Sequence, residues 1–168
     1  MAKEIERKYR AALTQNAFYI ALHEAEEVVF STQSYLVSKA TWEWRIRCLE
    51  RVKHPTKSSG ELTWYTAIKL GNGFVRDEYE TKLPAWFGKF LLRLAPVPIY
   101  KTRFSEGGWE VDVFHSPPTL NGLILAEAEV DHEHSPFPEV PAWVILGEDV
   151  TNHGGYSNKN LCLYGLPK

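Results

Sequence analysis

The chain has 168 residues, 44% of them hydrophobic and 13% aromatic, which excludes a disordered polymer and suits one domain, 1–168, with its own core. Its 19 Lys+Arg against 21 Asp+Glu leave a net charge of -2, so no global field draws it to nucleic acid or a membrane, and any electrostatic function must come from local arrangement. Cys48 and Cys162 lie far apart, with no neighbouring cysteine to make a zinc knuckle, and read as reduced thiols. The start is charged from Lys3 onward, with no apolar leader core and no run long enough to span a membrane, so a cytoplasmic location is expected.

In chain order, the first strand is predicted over 3–10 and a helix over 14–30, where Phe18, Leu22 and Ala25 share a side. Strands follow over 33–38, 42–51, 61–70 and 74–82, then a helix over 84–94 that opens on Pro84, as a first helical turn allows. Strands over 98–105, 108–114 and 123–131 and a short apolar helix over 141–146 complete the list. Gly71-Asn72-Gly73 and Glu106-Gly107-Gly108 read as hairpin connections, and the basic, turn-rich stretch from Cys48 to Gly60 reads as a flexible loop.

Successive side chains of a strand point to opposite faces, so parity sorts these segments into an apolar face and a charged one. Leu62, Trp64, Thr66 and Ile68 oppose Glu61, Tyr65 and Lys69; Trp42, Trp44 and Ile46 oppose Glu43, Arg45 and Arg47; Trp109, Val111 and Val113 oppose Glu110 and Asp112. The same two-residue rhythm of charge occurs in Glu4, Glu6 and Lys8, in Lys101 and Arg103, and in Glu127 and Glu129. A half-exposed sheet would turn these charges to water, whereas a barrel would turn them into its lumen and bury the tryptophans under helices. The charged face carries more Arg and carboxylate than the Thr, Ser and Gln usual on solvent-facing strands. Carboxylates beside Arg suit a metal-bound polyphosphate, since hard oxygens hold Mg²⁺ and guanidinium forks fit phosphate.

Glu4-Ile5-Glu6-Arg7-Lys8, followed by Arg45-Ile46-Arg47, Lys69, Arg76 with Glu78, Lys101-Thr102-Arg103, Asp112 and Glu127-Ala128-Glu129, resembles the CYTH superfamily of triphosphate tunnel metalloenzymes in type and order. Val150-Thr151 and Tyr156-Ser157-Asn158 with Leu161 resemble its C-terminal segment, so the likeness runs from Glu4 to about Leu161. It implies a mainly β (α+β) fold, an eight-stranded antiparallel closed β-barrel with flanking α-helices. It also implies a metal-dependent triphosphatase acting on inorganic tripolyphosphate or an organic triphosphate with Mg²⁺ or Mn²⁺. A monomer or homodimer is expected, and the balanced charge and lack of a membrane span predict no nucleic-acid or membrane partner.

The same resemblance places metal at Glu4, Glu6, Asp112, Glu127 and Glu129, and the phosphate chain against Lys8, Arg45, Arg47, Lys69, Arg76, Lys101 and Arg103. Lys8, Glu127 and Glu129 become the catalytic set. Glu78 and Glu80 are read as orienting Arg76 or Lys69, or as reaching metal through water. The rivals are a class IV adenylyl cyclase on the same site and a non-catalytic polyphosphate binder. Asp131-His132-Glu133-His134 lacks a second ligand pair and reads as a solvated loop. In a crowded cationic lumen, removing Arg45, Lys101 or Arg103 is expected to weaken triphosphate binding while relieving repulsion in the free protein.

Overall fold

Alternating, β-branched and aromatic segments place most of the chain in strands, and a computed structural model describes residues 5–39, 41–52, 60–70, 77–130 and 136–167. The strands are β1 (Ile5–Leu13), β2 (Glu27–Ser38), β3 (Trp42–Val52), β4 (Leu62–Leu70), β5 (Asp77–Leu83), β6 (Ile99–Glu106), β7 (Trp109–Ser116), β8 (Ile124–Val130) and β9 (Val144–Asp149). Among the described residues three α-helices accompany them: α1 (Ala17–Glu24), α2 (Ala85–Leu94) and α3 (Asn158–Tyr164). Every strand pairing is antiparallel, in the order β5-β4-β3-β2-β6-β7-β8-β1-β9.

Four expectations need correction. The expected eight-stranded closed barrel is a nine-stranded sheet, and among the described residues β5 and β9 remain unpaired ends of the order. The helix expected over 14–30 stops at Glu24, and its second half is strand β2, because Val28-Val29-Phe30-Ser31-Thr32 carries β-branched and aromatic side chains that fit between β3 and β6. The helix expected over 141–146 is a turn, closed by Val144 N–H on Pro141 O at 2.9 Å, followed by β9, which takes the free edge of β1 beyond Tyr9. Cys48 to Val52 lie in β3, paired with β2, where a loop was expected; 53–59 fall outside the described residues, as do Gly71-Asn72-Gly73 and Asp131 to His134.

One face of the sheet is covered. Ala17 and Ala21 of α1 pack with Phe104, Trp109, Val111 and Trp143, Leu91 of α2 packs with Ile46, Cys48 and Trp64, and Leu161 of α3 packs with Ile99, Phe114 and Leu120. Trp64 is buried as expected, but Trp42 is 37% exposed, and Trp86, on the covering helix α2 itself, is 72% exposed. Among the described residues no helix is long and apolar enough to cross a membrane. With the apolar parity spent on helices, the charged parity faces the concave side of the sheet.

Gly88 fixes how closely α2 lies on β4, since a Cβ there would run into the Trp64 ring. Alanine would favour the helix by about 1 kcal/mol, whereas overpacking costs about 1–3 kcal/mol. Gly88→Ala is therefore expected to lower the urea midpoint. A midpoint equal to or above wild type would show that the Trp64 ring moves aside without cost.

Candidate functional site

Neighbouring antiparallel strands lie close enough for same-face residues to touch, so the charged parity of successive strands becomes a single wall. A cavity of about 620 Å³ opens against it, lined by Arg45 and Arg47 of β3, Lys69 of β4, Glu78 and Glu80 of β5, Lys101 and Arg103 of β6, Glu110 of β7, Glu127 and Glu129 of β8, and Glu6 of β1. Strand β5, at one end of the sheet order, and strands β8 and β1, near the other, thus face one space, which requires a strongly curled sheet. An adjoining cavity of about 430 Å³ brings in Lys8, Tyr35, Glu43 and the segment before and within α3, including Ser157, Asn158 and Lys159.

The β3–β4–β5 side is a ladder of alternating charges. Arg45 Nη2 donates to Glu78 Oε1 at 2.9 Å and to Glu80 Oε2 at 3.1 Å, Arg47 Nη2 donates to Glu80 Oε2 at 2.8 Å, and Lys69 Nζ meets Glu78 Oε2 at 2.9 Å. Burial would raise the Glu78 pKa, but Lys69, Arg45 and Arg47 override it and leave it lowered. Burial and the adjacent Arg45 lower that of Arg47. Glu78 and Glu80 thus pair with Lys69, Arg45 and Arg47; of the two cations they were expected to orient, Lys69 is in contact with Glu78 and Arg76 lies outside the described residues.

The β6–β7–β8–β1 side is more deeply enclosed. Asp112, 1% exposed, accepts from Arg103 Nε and Nη2, each at 2.7 Å, and from Lys101 Nζ. Burial works against the Asp112 charge, yet Lys101 and Arg103 override it and hold the carboxyl well below its usual range. Lys101 Nζ also donates to Asn158 Oδ1 at 3.1 Å, and Arg103 reaches Glu110 and, at 3.4 Å, Glu127. Lys8 Nζ lies 2.9 Å from Glu127 and 3.2 Å from Glu6. Burial opposes the Lys8 charge but these two glutamates raise its pKa, while burial and nearby Asp112 raise that of Glu127.

Of the site residues expected from sequence, Glu6, Arg45, Arg47, Lys69, Lys101, Arg103, Glu127 and Glu129 line the main cavity, and Lys8 the adjoining one. Asp112 is brought to the same place but beneath the wall, with both oxygens engaged by cations, where a metal ligand was expected. Glu4 and Arg76 lie outside the described residues. The picture of a repulsive cationic lumen also changes: Arg103→Ala would remove a charge partner from Glu110 and leave Asp112 with Lys101 alone.

Four contributors were missed. Glu43, 5% exposed and 3.2 Å from Lys159, shares the parity of Arg45 and Arg47, and Glu110 shares that of Asp112, so both were within reach of the same reading. Lys159 and Asn158 enter from α3, which is seven residues long and carries no apolar periodicity strong enough to announce it. Its caps were legible: the Ser157 hydroxyl accepts from Asn160 N–H at 3.2 Å, and Gly165 follows at φ 75°.

No family model matches the chain, and no curated protein matches it. Solved structures similar to it include the PH1819 protein from Pyrococcus horikoshii OT3, at 17% identity over 78% of this chain and 80% of that one with a TM-score of 0.46. A conserved hypothetical protein from Pyrococcus furiosus is 17% identical over 79% of this chain and 81% of its own, with a TM-score of 0.42. Likeness at these scores carries neither fold nor function.

Proposed function

We propose that this protein is a metal-dependent triphosphatase that removes the terminal phosphate from inorganic tripolyphosphate or an organic triphosphate, as its resemblance to the CYTH superfamily implies. The observation that supports it is one cavity in which Arg45, Arg47, Lys69, Lys101 and Arg103 face the same space as Glu6, Glu127 and Glu129. A closed tunnel is not required. A curled open sheet that brings β5 and β8 to one cavity supplies opposed walls for an elongated anion.

The carboxylates suit a hard divalent cation in donor type and in placement. Glu6 stands directly opposite Glu129 in the β1–β8 register, and Glu127, opposite Lys8, is two residues from Glu129 on the same face. Among the described residues no three such side chains are already gathered into a metal-sized group. Mg²⁺ or Mn²⁺ held by Glu6, Glu127 and Glu129 would supply charge to the phosphates and an activated water. Arg45 and Arg47 offer guanidinium forks to phosphate oxygens, Lys69 and Lys101 add point charges, and Arg103 is held in orientation by Asp112. Phosphoryl transfer gains mainly from such positioning and charge stabilisation.

The deciding experiment incubates the protein with tripolyphosphate, ATP, GTP and thiamine triphosphate in Mg²⁺ or Mn²⁺ and identifies all products. Orthophosphate that disappears with EDTA and returns on adding metal supports the triphosphatase. Cyclic AMP with pyrophosphate would instead mark a cyclase, and unchanged ligand a sequestering binder. Tripolyphosphate should be cleaved at least as efficiently as ATP, since the strong elements of the wall address phosphate and metal rather than a base.

Binding is separable from turnover. Tripolyphosphate with Ca²⁺, at about 100 times its Kd, is expected to stabilise the fold by about 2.7 kcal/mol, which is about 5–10 °C in Tm for a chain of this size. An unmoved melting curve at saturating ligand would remove the cavity from consideration as a polyphosphate site.

A further inference from the structure

The same wall carries a neutral group that a charge-based reading passes over. Gln33 of β2 is 3% exposed, lies directly opposite Arg47 of β3 and lines the main cavity. Its Nε2 has no hydrogen-bond partner. An amide nitrogen can only donate, and a buried donor left unmet forfeits the water it gave up on folding, so nearly all such groups in native proteins are satisfied.

Gln33 does not stand alone. The Nε of Arg45 and the Nε of Arg47 are also buried and unpartnered, while the Nη2 atoms of both arginines are engaged by Glu78 and Glu80. All three unmet groups are donors on adjacent strands lining one cavity. The other buried group without a partner among the described residues, Trp64 Nε1, belongs to the covered face beneath α2. A ligand that satisfies these three groups must bring acceptors, as the non-bridging oxygens of a phosphate do.

We propose that Gln33 is a substrate-binding residue whose Nε2, with the Nε atoms of Arg45 and Arg47, forms a subsite of unmet donors for one phosphate of a polyphosphate chain. The subsite presupposes that the pocket takes a triphosphate, and adds where one end of it rests. It lies on β2 and β3, remote in the sheet order from Glu6, Glu127 and Glu129, so the chain runs from this donor wall toward the carboxylates. Because Gln33 is neutral, its share of the affinity resists salt, whereas that of Arg47 is screened.

The test is calorimetric titration of inorganic tripolyphosphate with Ca²⁺ into wild type, Gln33→Met, Gln33→Glu and Arg47→Ala, at low and high salt, with melting curves of the free proteins. Gln33→Met should weaken Kd about five- to tenfold at both salt concentrations, while the free protein melts at or above wild type because an unmet donor has gone. Gln33→Glu should weaken Kd more than tenfold, since a carboxylate then faces the phosphate. Wild-type Kd in Gln33→Met, or a lower Tm with unchanged Kd, would reduce Gln33 to packing and overturn the subsite.

If Gln33→Met does not fold, Gln33→Glu decides alone, and wild-type affinity there overturns the proposal. Loss of affinity in Arg47→Ala without loss in the Gln33 variants would sink the subsite and leave the triphosphate reading standing. Absence of binding to wild type would sink both.

Discussion

Glu127→Gln is expected to lower metal-dependent hydrolysis of tripolyphosphate by about three orders of magnitude, or about 4 kcal/mol of transition-state stabilisation, with the fold retained. The amide keeps the shape of the side chain and an oxygen that can still accept from Lys8 or Arg103. What it removes is the anionic oxygen that a hard cation requires. The fold should tolerate this because Lys8 retains Glu6, and Arg103 retains Asp112 and Glu110, as charge partners. The pH profile carries a second signature. Burial and Asp112 raise the Glu127 pKa of the metal-free protein above the ordinary 4.5, and only the ionised form ligates, so the affinity of the free protein for metal should fall as pH drops through that raised value. A wild-type rate in the folded variant would take Glu127 out of the metal site.

The strand parities were legible because a half-covered antiparallel sheet imposes period two on every strand: Trp64 went under α2 and Lys69 went to the cavity, as alternation in Leu62–Leu70 predicts. Where the pattern misled, two periods overlapped. Phe18, Leu22 and Ala25 keep helical spacing that runs on into Val28, and the end of α1 at Glu24 is set by the vacancy between β3 and β6 that Val28 to Gln33 fill, a tertiary fact. Strand β9 is six residues long and depends on the edge of β1 for its hydrogen bonds. Barrel closure is likewise a long-range pairing, and no local pattern encodes whether β5 meets another strand.

At the site, which residues share a face was readable, but which of them neutralise one another was not. Asp112 and Glu127 occupy the same parity and the same kind of strand, yet Asp112 is locked between Lys101 and Arg103 while Glu127 lines the open space. Depth below the wall separates their roles, and depth is set by the register of β6 against β7, which places Arg103 opposite Asp112. Gln33 escaped for the opposite reason: it has no charge to notice, and only its burial and unmet Nε2 mark it.

That difference in depth predicts that Asp112→Asn costs stability first. The substitution replaces one of two engaged oxygens with an N–H group that points at a cation, and it leaves Lys101, whose side chain is 4% exposed, without its buried counter-charge. Removing one partner of a buried ion pair costs about 3–5 kcal/mol, and at about 2–4 °C per kcal/mol for a chain of this size the Tm should fall by about 10 °C. The loss should appear in EDTA-treated protein, because it arises from Lys101 and Arg103 rather than from a metal. A metal ligand would behave otherwise, leaving the melting of the chelated protein unchanged and raising only the metal requirement, an outcome that would restore Asp112 to the ligand set. The acid limb supplies the sign. With the folded-state pKa of Asp112 depressed below its ordinary 3.8, the stabilisation is present above that value and is lost as pH falls through the folded one, so the variant's stability should depend less on pH below about 4 than the wild type's.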